Sequence, residues 1–304
     1  MLKLVADNFE EKINNINDYN NIVALYIHGV EITNKYCQKI AEFLSKNIIL
    51  NTLILSYCIF KSQSDINTIF NGIVNNKKNP LINIALNGNS IIKSKRGAIE
   101  TIGNISLTES IVKILEKNVL KILYLTDYIF SNMNIFSDAI ANNESLRQLF
   151  FDNIKIVDSK QSLAKNIAKM ITNKTLGKIQ CTKNYLGNDP HLELIFSAIA
   201  QNYTLEEIDL RNNDITDDGI KYLTKYIPEY HTISIINISE NNITDMGGNA
   251  IAKALLYNRS IINIYTKENH ISEEVEEKIQ ENLILDNKIE RGKWEPMKML
   301  MNKE

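Results

Sequence analysis

The stretch Leu205-Glu206-Glu207-Ile208-Asp209-Leu210-Arg211-Asn212-Asn213-Asp214-Ile215 places apolar residues at its first, fourth, sixth and eleventh positions and asparagine at its ninth. Thr216-Asp217-Asp218-Gly219 follows, and then Ile220, Leu223 and Ile227 at helical spacing. The same frame returns 28 residues later from Ile233 to Ile243, and 28 residues after that from Ile261 to Ile271. Traced toward the N-terminus it fits again, so nine units begin at 22, 50, 81, 120, 146, 176, 205, 233 and 261. Each unit contains two periodicities. The first three apolar residues alternate inward along a short strand, so Leu205, Ile208 and Leu210 enter a core while the residues between them face out. The second half has helical spacing, as in Leu163, Ile167 and Met170 or Val275, Ile279 and Leu283. One unit cannot bury both its faces alone, whereas stacked neighbours share a continuous core.

The frame L-x-x-L-x-L-x-x-N/C-x-L resembles the leucine-rich repeat, and the long helical halves resemble its ribonuclease-inhibitor-like class, over residues 22–286. The resemblance implies an α/β horseshoe, a solenoid of about nine repeats with a parallel concave sheet and convex helices. It also implies that the Asn or Cys position bonds backbone groups where the chain leaves the strand. Asn89, Asn184, Asn213, Asn241, Asn269 and Cys58 hold that position, whereas Val30, Tyr128 and Ile154 depart from it, so irregular turns are expected there.

The returns from helix to strand also recur, as Asn143-Glu144-Ser145, Asn173-Lys174-Thr175, Asn202-Tyr203-Thr204 and Asn258-Arg259-Ser260. These match glycosylation sequons but read better as turns, since asparagine tolerates left-handed backbone and Ser or Thr enters the strand. From Leu81 to Leu120 the spacing stretches to 39 residues. The excess, near 92–118, reads as a helical insertion on the convex side or a partner-binding lobe, with one helical piece at Ala98, Ile99 and Ile102 and another at Ile111, Ile114 and Leu115. An open solenoid needs capped ends. Residues 1–21, with Leu4, Val5, Phe9, Ile13 and Ile16 on a helical face, are expected as an N-terminal helical cap. Residues 287–304, with Trp294, Met297, Met299 and Leu300, are expected as a C-terminal cap or a docking tail.

Thirty-four basic against 36 acidic residues leave a formal charge of −2, which gives no net pull toward nucleic acid or anionic lipid. The start turns polar too early for a signal peptide, and no apolar run approaches the roughly 20 residues of a membrane span. Three scattered cysteines suit a reducing compartment, either the cytoplasm or a host cell receiving an exported protein. The excess of Asn, Ile, Lys and Tyr has AT-rich codons, and with this repeat class it resembles effectors of intracellular bacteria that act on host proteins.

No cofactor, metal or small-molecule substrate is expected. His28, His191, His231 and His270 fall at non-equivalent repeat positions, and no phosphate-loop, dinucleotide or H-E-x-x-H motif occurs. Strand alternation instead points to the concave face. Its middle row runs Tyr26, Ile54, Ala85, Tyr124, Phe150, Gln180, Asp209, Asn237 and Tyr265. Tyr124, Asp127, Arg147, Phe150, Asp152, Lys183, Glu207, Asp209, Arg211 and Glu240 are the candidate partner-binding residues, because aromatic and arginine anchors amid polar groups suit a protein interface. The expected function is non-enzymatic binding of a protein partner. The resemblance also implies an alternative, regulation of an enzyme as a GTPase-activating protein or a wrapping inhibitor.

Overall fold

The computed structural model describes residues 1–19, 21–78, 80–95, 98–104, 108–157 and 160–289. Each repeat opens with a strand and returns through a helix. The strands Leu2–Leu4, Ala24–His28, Thr52–Ser56, Asn83–Asn87, Ile122–Thr126, Gln148–Asp152, Lys178–Gln180, Glu207–Asp209, Ile235–Asn237 and Asn263–Tyr265 form one parallel ten-stranded sheet in chain order. Helices such as Asn34–Lys46, Gln63–Asn75, Leu163–Ile171 and Asp245–Leu255 stack beside one another as the second layer. Between the layers runs one continuous core, to which each repeat contributes its strand residues (Leu205, Ile208 and Leu210) and its helix residues (Ile220, Leu223 and Ile227).

Backbone satisfaction decides which residues stand at the turns. Asn213 is fully buried and donates through Nδ2 to the carbonyls of Cys181 (2.7 Å) and Arg211 (3.1 Å). Its Oδ1 accepts from the N–H of Asn184 at 2.8 Å. Asn241 continues the ladder, accepting from Asn213 and Ile215, both at 3.0 Å. The residue before this position is left-handed in all nine repeats: Gly29, Tyr57, Gly88, Asp127, Asn153, Lys183, Asn212, Glu240 and Glu268 have φ between 49° and 64°.

The irregularity expected at Val30, Tyr128 and Ile154 does not occur; all three are buried in regular turns. In the first five repeats, those of Cys58 and Asn89 included, the segment after the turn forms an extra short strand, and its pairing ties each of these turns to a neighbour. Glu31–Ile32 pairs with Ile59–Phe60, which pairs with Ser90–Lys95, and Ile129–Phe130 pairs with Lys155–Ile156.

The sequons are turns. Asn143, Asn173, Asn202 and Asn258 are all buried. Asn173 shows the geometry: Nδ2 donates to the carbonyls of Ile140 and Asn143, both at 2.6 Å, and Oδ1 accepts from the N–H groups of Thr175 and Leu176, both at 2.7 Å. In the repeat that starts at Leu120, Lys117 takes this place, and its ammonium donates to the carbonyls of Ile73, Val74 and Asn76.

Two expectations need correction. The N-terminal cap is not helical throughout: Leu2–Leu4 pairs in parallel with Leu25–Ile27 and extends the sheet before the helix Phe9–Asn14 begins. The alternation Leu2-Lys3-Leu4 is a strand pattern, and it supplies backbone partners to the first repeat's edge. Among its described residues the insertion contains one helix, Thr108–Leu115, not two. Ala98–Asn104 is a strand antiparallel to Ser90–Lys95, so this part grows from the second sheet and not from the helix layer. Ile99 and Ile102 fit a helical spacing, but Ile91, Ile92, Ile99, Thr101 and Ile102 are β-branched and favour extended backbone. At the C-terminus the last helix is Glu273–Ile289, and the expected cap or tail with Trp294, Met297, Met299 and Leu300 lies outside the described residues.

Candidate functional site

The expected middle row is a true row. Tyr26, Ile54, Ala85, Tyr124, Phe150, Gln180, Asp209, Asn237 and Tyr265 are register partners strand by strand, with Lys3 opposite Tyr26 at the N-terminal end. At its centre the rings of Tyr124 and Phe150 stack with centroids 3.9 Å apart and planes 11° from parallel. Both are half-buried, and Lys178 Nζ lies 5.5 Å from the Phe150 centroid. Parallel register stacks equivalent side chains directly, and an aromatic pair in adjacent repeats therefore makes one flat, rigid plate.

Beyond the plate the face becomes a hydrogen-bonded charge array. Asp152 accepts from Gln180 Nε2 (2.7 Å), Thr182 N–H (2.9 Å) and the Thr182 hydroxyl (2.8 Å). Burial lifts its carboxyl above the usual range against these bonds, and the charge of Asp209 adds to the lift. Asp209 itself is buried and holds Arg211, accepting from its N–H and Nε at 3.0 Å and from Nη2 at 2.9 Å. The hydrogen bond to Asp209 keeps the Arg211 guanidinium more firmly charged than usual. Asp209 therefore positions Arg211 and has little surface left for a partner. Glu207 pairs with Lys178 at 2.6 Å.

Three candidates lie elsewhere. Asp127, Lys183 and Glu240 occupy the left-handed position after their strands, on the rim and not on the floor. Asp127 accepts from Asn153 Nδ2 at 2.5 Å and Glu240 from Asn212 Nδ2 at 3.1 Å, while Lys183 is exposed. Arg147 is exposed at the opposite rim, where its Nη1 donates to Thr175 O at 3.0 Å.

Sequence reasoning missed two features of this face. Lys178 falls on an outward strand position, and alternation alone would have named it. The other is an aromatic group at the N-terminal end. Tyr26 and His28 stack at 5.7 Å, Tyr57 meets His28 edge-on at 5.6 Å, and Lys3 Nζ is 5.4 Å from the Tyr26 centroid. It joins the N-terminal cap and two repeats, so a reading confined to one repeat does not reveal it.

The cysteines have structural roles. Burial pushes the Cys37 and Cys58 thiols up to about 12, and Cys58 Sγ contacts the carbonyls of Ile27 and Ser56 at 3.5 Å. Among the described residues no cluster of three or more His, Cys, Asp or Glu could hold a metal ion, and no helix is long and apolar enough to cross a membrane.

A family model described as Leucine Rich repeat matches residues 201–223 and 231–252. The fold is a leucine-rich-repeat solenoid. Among solved structures the repeat array is similar to Leiomodin-1 Actin-Binding Site 2, at 14% identity and TM-score 0.33, covering 53% of this chain and 75% of that one. It is also similar to a Caenorhabditis elegans tropomodulin C-terminal domain, at 13% identity and TM-score 0.42, covering 53% and 96%. These likenesses carry no argument about partners. No curated protein sequence matches the chain.

Proposed function

We propose that this solenoid is a protein-interaction scaffold that acts by binding and holds its partner against the concave sheet. The observation that carries the proposal is the Tyr124–Phe150 plate, two stacked and partly exposed rings at the centre of the sheet. Binding energy concentrates in such central anchors, with surrounding polar groups excluding water and fixing register. Asp152 and Arg211 are held in place beforehand by Gln180, Thr182 and Asp209, so less side-chain ordering is needed on binding. The concave charges alternate in sign, which suits a protein surface better than a phosphate backbone. Helices of 13 residues at Asn34–Lys46 and Gln63–Asn75 support the ribonuclease-inhibitor-like class. The AT-rich composition extends the reading to an effector whose partner is a host protein.

The test is capture of proteins from a host-cell lysate with the natural chain and with a Tyr124→Ala, Phe150→Ala variant that keeps its circular dichroism spectrum. The expected result is one or more proteins held by the natural chain and lost by the variant. Identical captured sets would overturn the concave-face reading.

A further inference from the structure

Arg147, Gly177 and Glu206 hold the same place in three successive repeats, one residue after the first apolar position. Their backbones are joined across the sheet, Gly177 N–H donating to Arg147 O at 2.9 Å and Glu206 N–H to Gly177 O at 2.8 Å. The missing side chain at Gly177 opens a notch of about 390 Å³, lined by Arg147, Lys178, Glu206 and Glu207 among others. Folding does not demand glycine here. Its φ lies outside the left-handed region, and an added Cβ would stand 3.8 Å from Arg147 O and 3.9 Å from Thr204 O, which is ordinary contact. A glycine that the fold does not require leaves room for another backbone to approach.

The charges around the notch are arranged in two ways. Lys178 and Glu207 pair at 2.6 Å and neutralise each other. Arg147 donates to a neutral carbonyl, Thr175 O, which holds the guanidinium at one edge, and among the described residues no ion pair compensates its charge. Glu206 is exposed at the other edge, and no side chain among the described residues pairs with its carboxylate. Two strand spacings separate these rims, about 10 Å, and a chain in polyproline II conformation, at three residues per turn and about 3.1 Å per residue, covers that distance in one turn and brings its side chain back to the same face.

We propose that a segment of the protein partner in polyproline II conformation crosses the sheet at this notch. A carboxylate side chain lies over Arg147, a lysine or arginine three positions away lies over Glu206, and the backbone between them descends onto Gly177. This deepens the concave-face reading and rests on it. Partner specificity then resides in the order and spacing of two opposite charges, while the aromatic plate supplies affinity.

The test is an array of 12-residue peptides carrying one Glu and one Lys two, three or six positions apart, in both orders, among neutral residues. The array is probed with the natural chain and with folded Gly177→Leu, Gly177→Ala, Arg147→Glu with Glu206→Lys, and Tyr124→Ala with Phe150→Ala variants. The natural chain should hold the three-apart peptides in one order at least tenfold more strongly than the rest. Gly177→Leu should lose that tenfold, Gly177→Ala should lose less, and the charge swap should transfer the preference to the opposite order. Indifference of the natural chain to order and spacing, or absence of binding, overturns the proposal. Peptides lost by the aromatic variant but kept by Gly177→Leu would overturn the notch and leave the concave-face reading standing. Peptides kept by both would sink the two together.

Discussion

The first five repeats and the last four solve the same turn in different ways. In the first five, each concave strand has five residues, and the chain leaving it forms a second short strand. In the last four, the strand has three residues and an asparagine holds the turn, buried at Asn184, Asn213 and Asn241 and half-buried at Asn269. The amide of Asn213 satisfies carbonyls and N–H groups of two repeats at once, while Asn89, in the first half, bonds Cys58 N–H and Leu55 O in the same way and is still followed by a paired second strand. Where Val30, Tyr128 or Ile154 stands instead, β pairing of the residues that follow ties the turn to a neighbouring repeat. The family model matches 201–223 and 231–252, in the second kind of repeat. The faces differ too, with aromatics in the first half (Tyr26, Tyr124, Phe150) and the Asp209–Arg211 array in the second.

If the amide carries the second half, Asn213→Leu should cost about 3 kcal/mol, because it strands several buried backbone groups at once. Cys58→Ala, at the equivalent position of the first half, should cost about 1 kcal/mol, since only a small buried thiol is lost. Urea unfolding midpoints decide between them, and equal losses would break the contrast.

Within the first half, Lys117 holds the other turn, the return from helix to strand. Lys117→Met should cost about 2 kcal/mol by leaving the last carbonyls of the helix Gln63–Asn75 without their donor, and Lys117→Asn should recover part of it. A Lys117→Met variant as stable as the natural chain would show that water replaces the ammonium.

The left-handed position is common to both halves, so its cost should be independent of the turn solution. Gly29 has φ 64° and open space where a Cβ would go. Gly29→Ala should therefore cost about 1 kcal/mol from backbone conformation alone, in thermal denaturation.

The smallest effect is in the acid range. Burial pushes the Asp189 carboxyl up, but bonds from Ala164 N–H, His191 N–H and the Ser162 hydroxyl outweigh it and hold the pKa below the usual range. Its contribution is present above its unfolded value, about 3.9, and is lost as pH falls through the folded one. Asp152 behaves oppositely: its raised folded pKa makes stability fall as pH rises from the unfolded value through the folded one. Asp189→Asn should flatten the loss at low pH, and Asp152→Asn should remove the decline above it, in urea midpoints followed from pH 2.5 to 6. Unchanged profiles would contradict both assignments.

The repeat frame, the inward residues and the concave row were legible because strand and helix periods are local properties of the chain. The pairing of Tyr124 with Phe150 followed from register. Three things were not legible. The second strands of the first half depend on neighbouring repeats, which no single repeat encodes. The hairpin Ser90–Asn104 was ambiguous because two isoleucines three apart fit a helix as well as a strand. Asp209 reads as an outward acid in the pattern, yet it is buried because the Arg211 side chain folds over it.

The central claim is that the aromatic plate touches the partner. The most direct measurement places a photo-crosslinking phenylalanine analogue at Phe150 in one sample and at Leu194, exposed on the helix layer, in another. Irradiation in host-cell lysate should yield a discrete crosslinked protein from position 150 and none from position 194. Crosslinking from position 194 alone would place the partner on the helices and contradict the account.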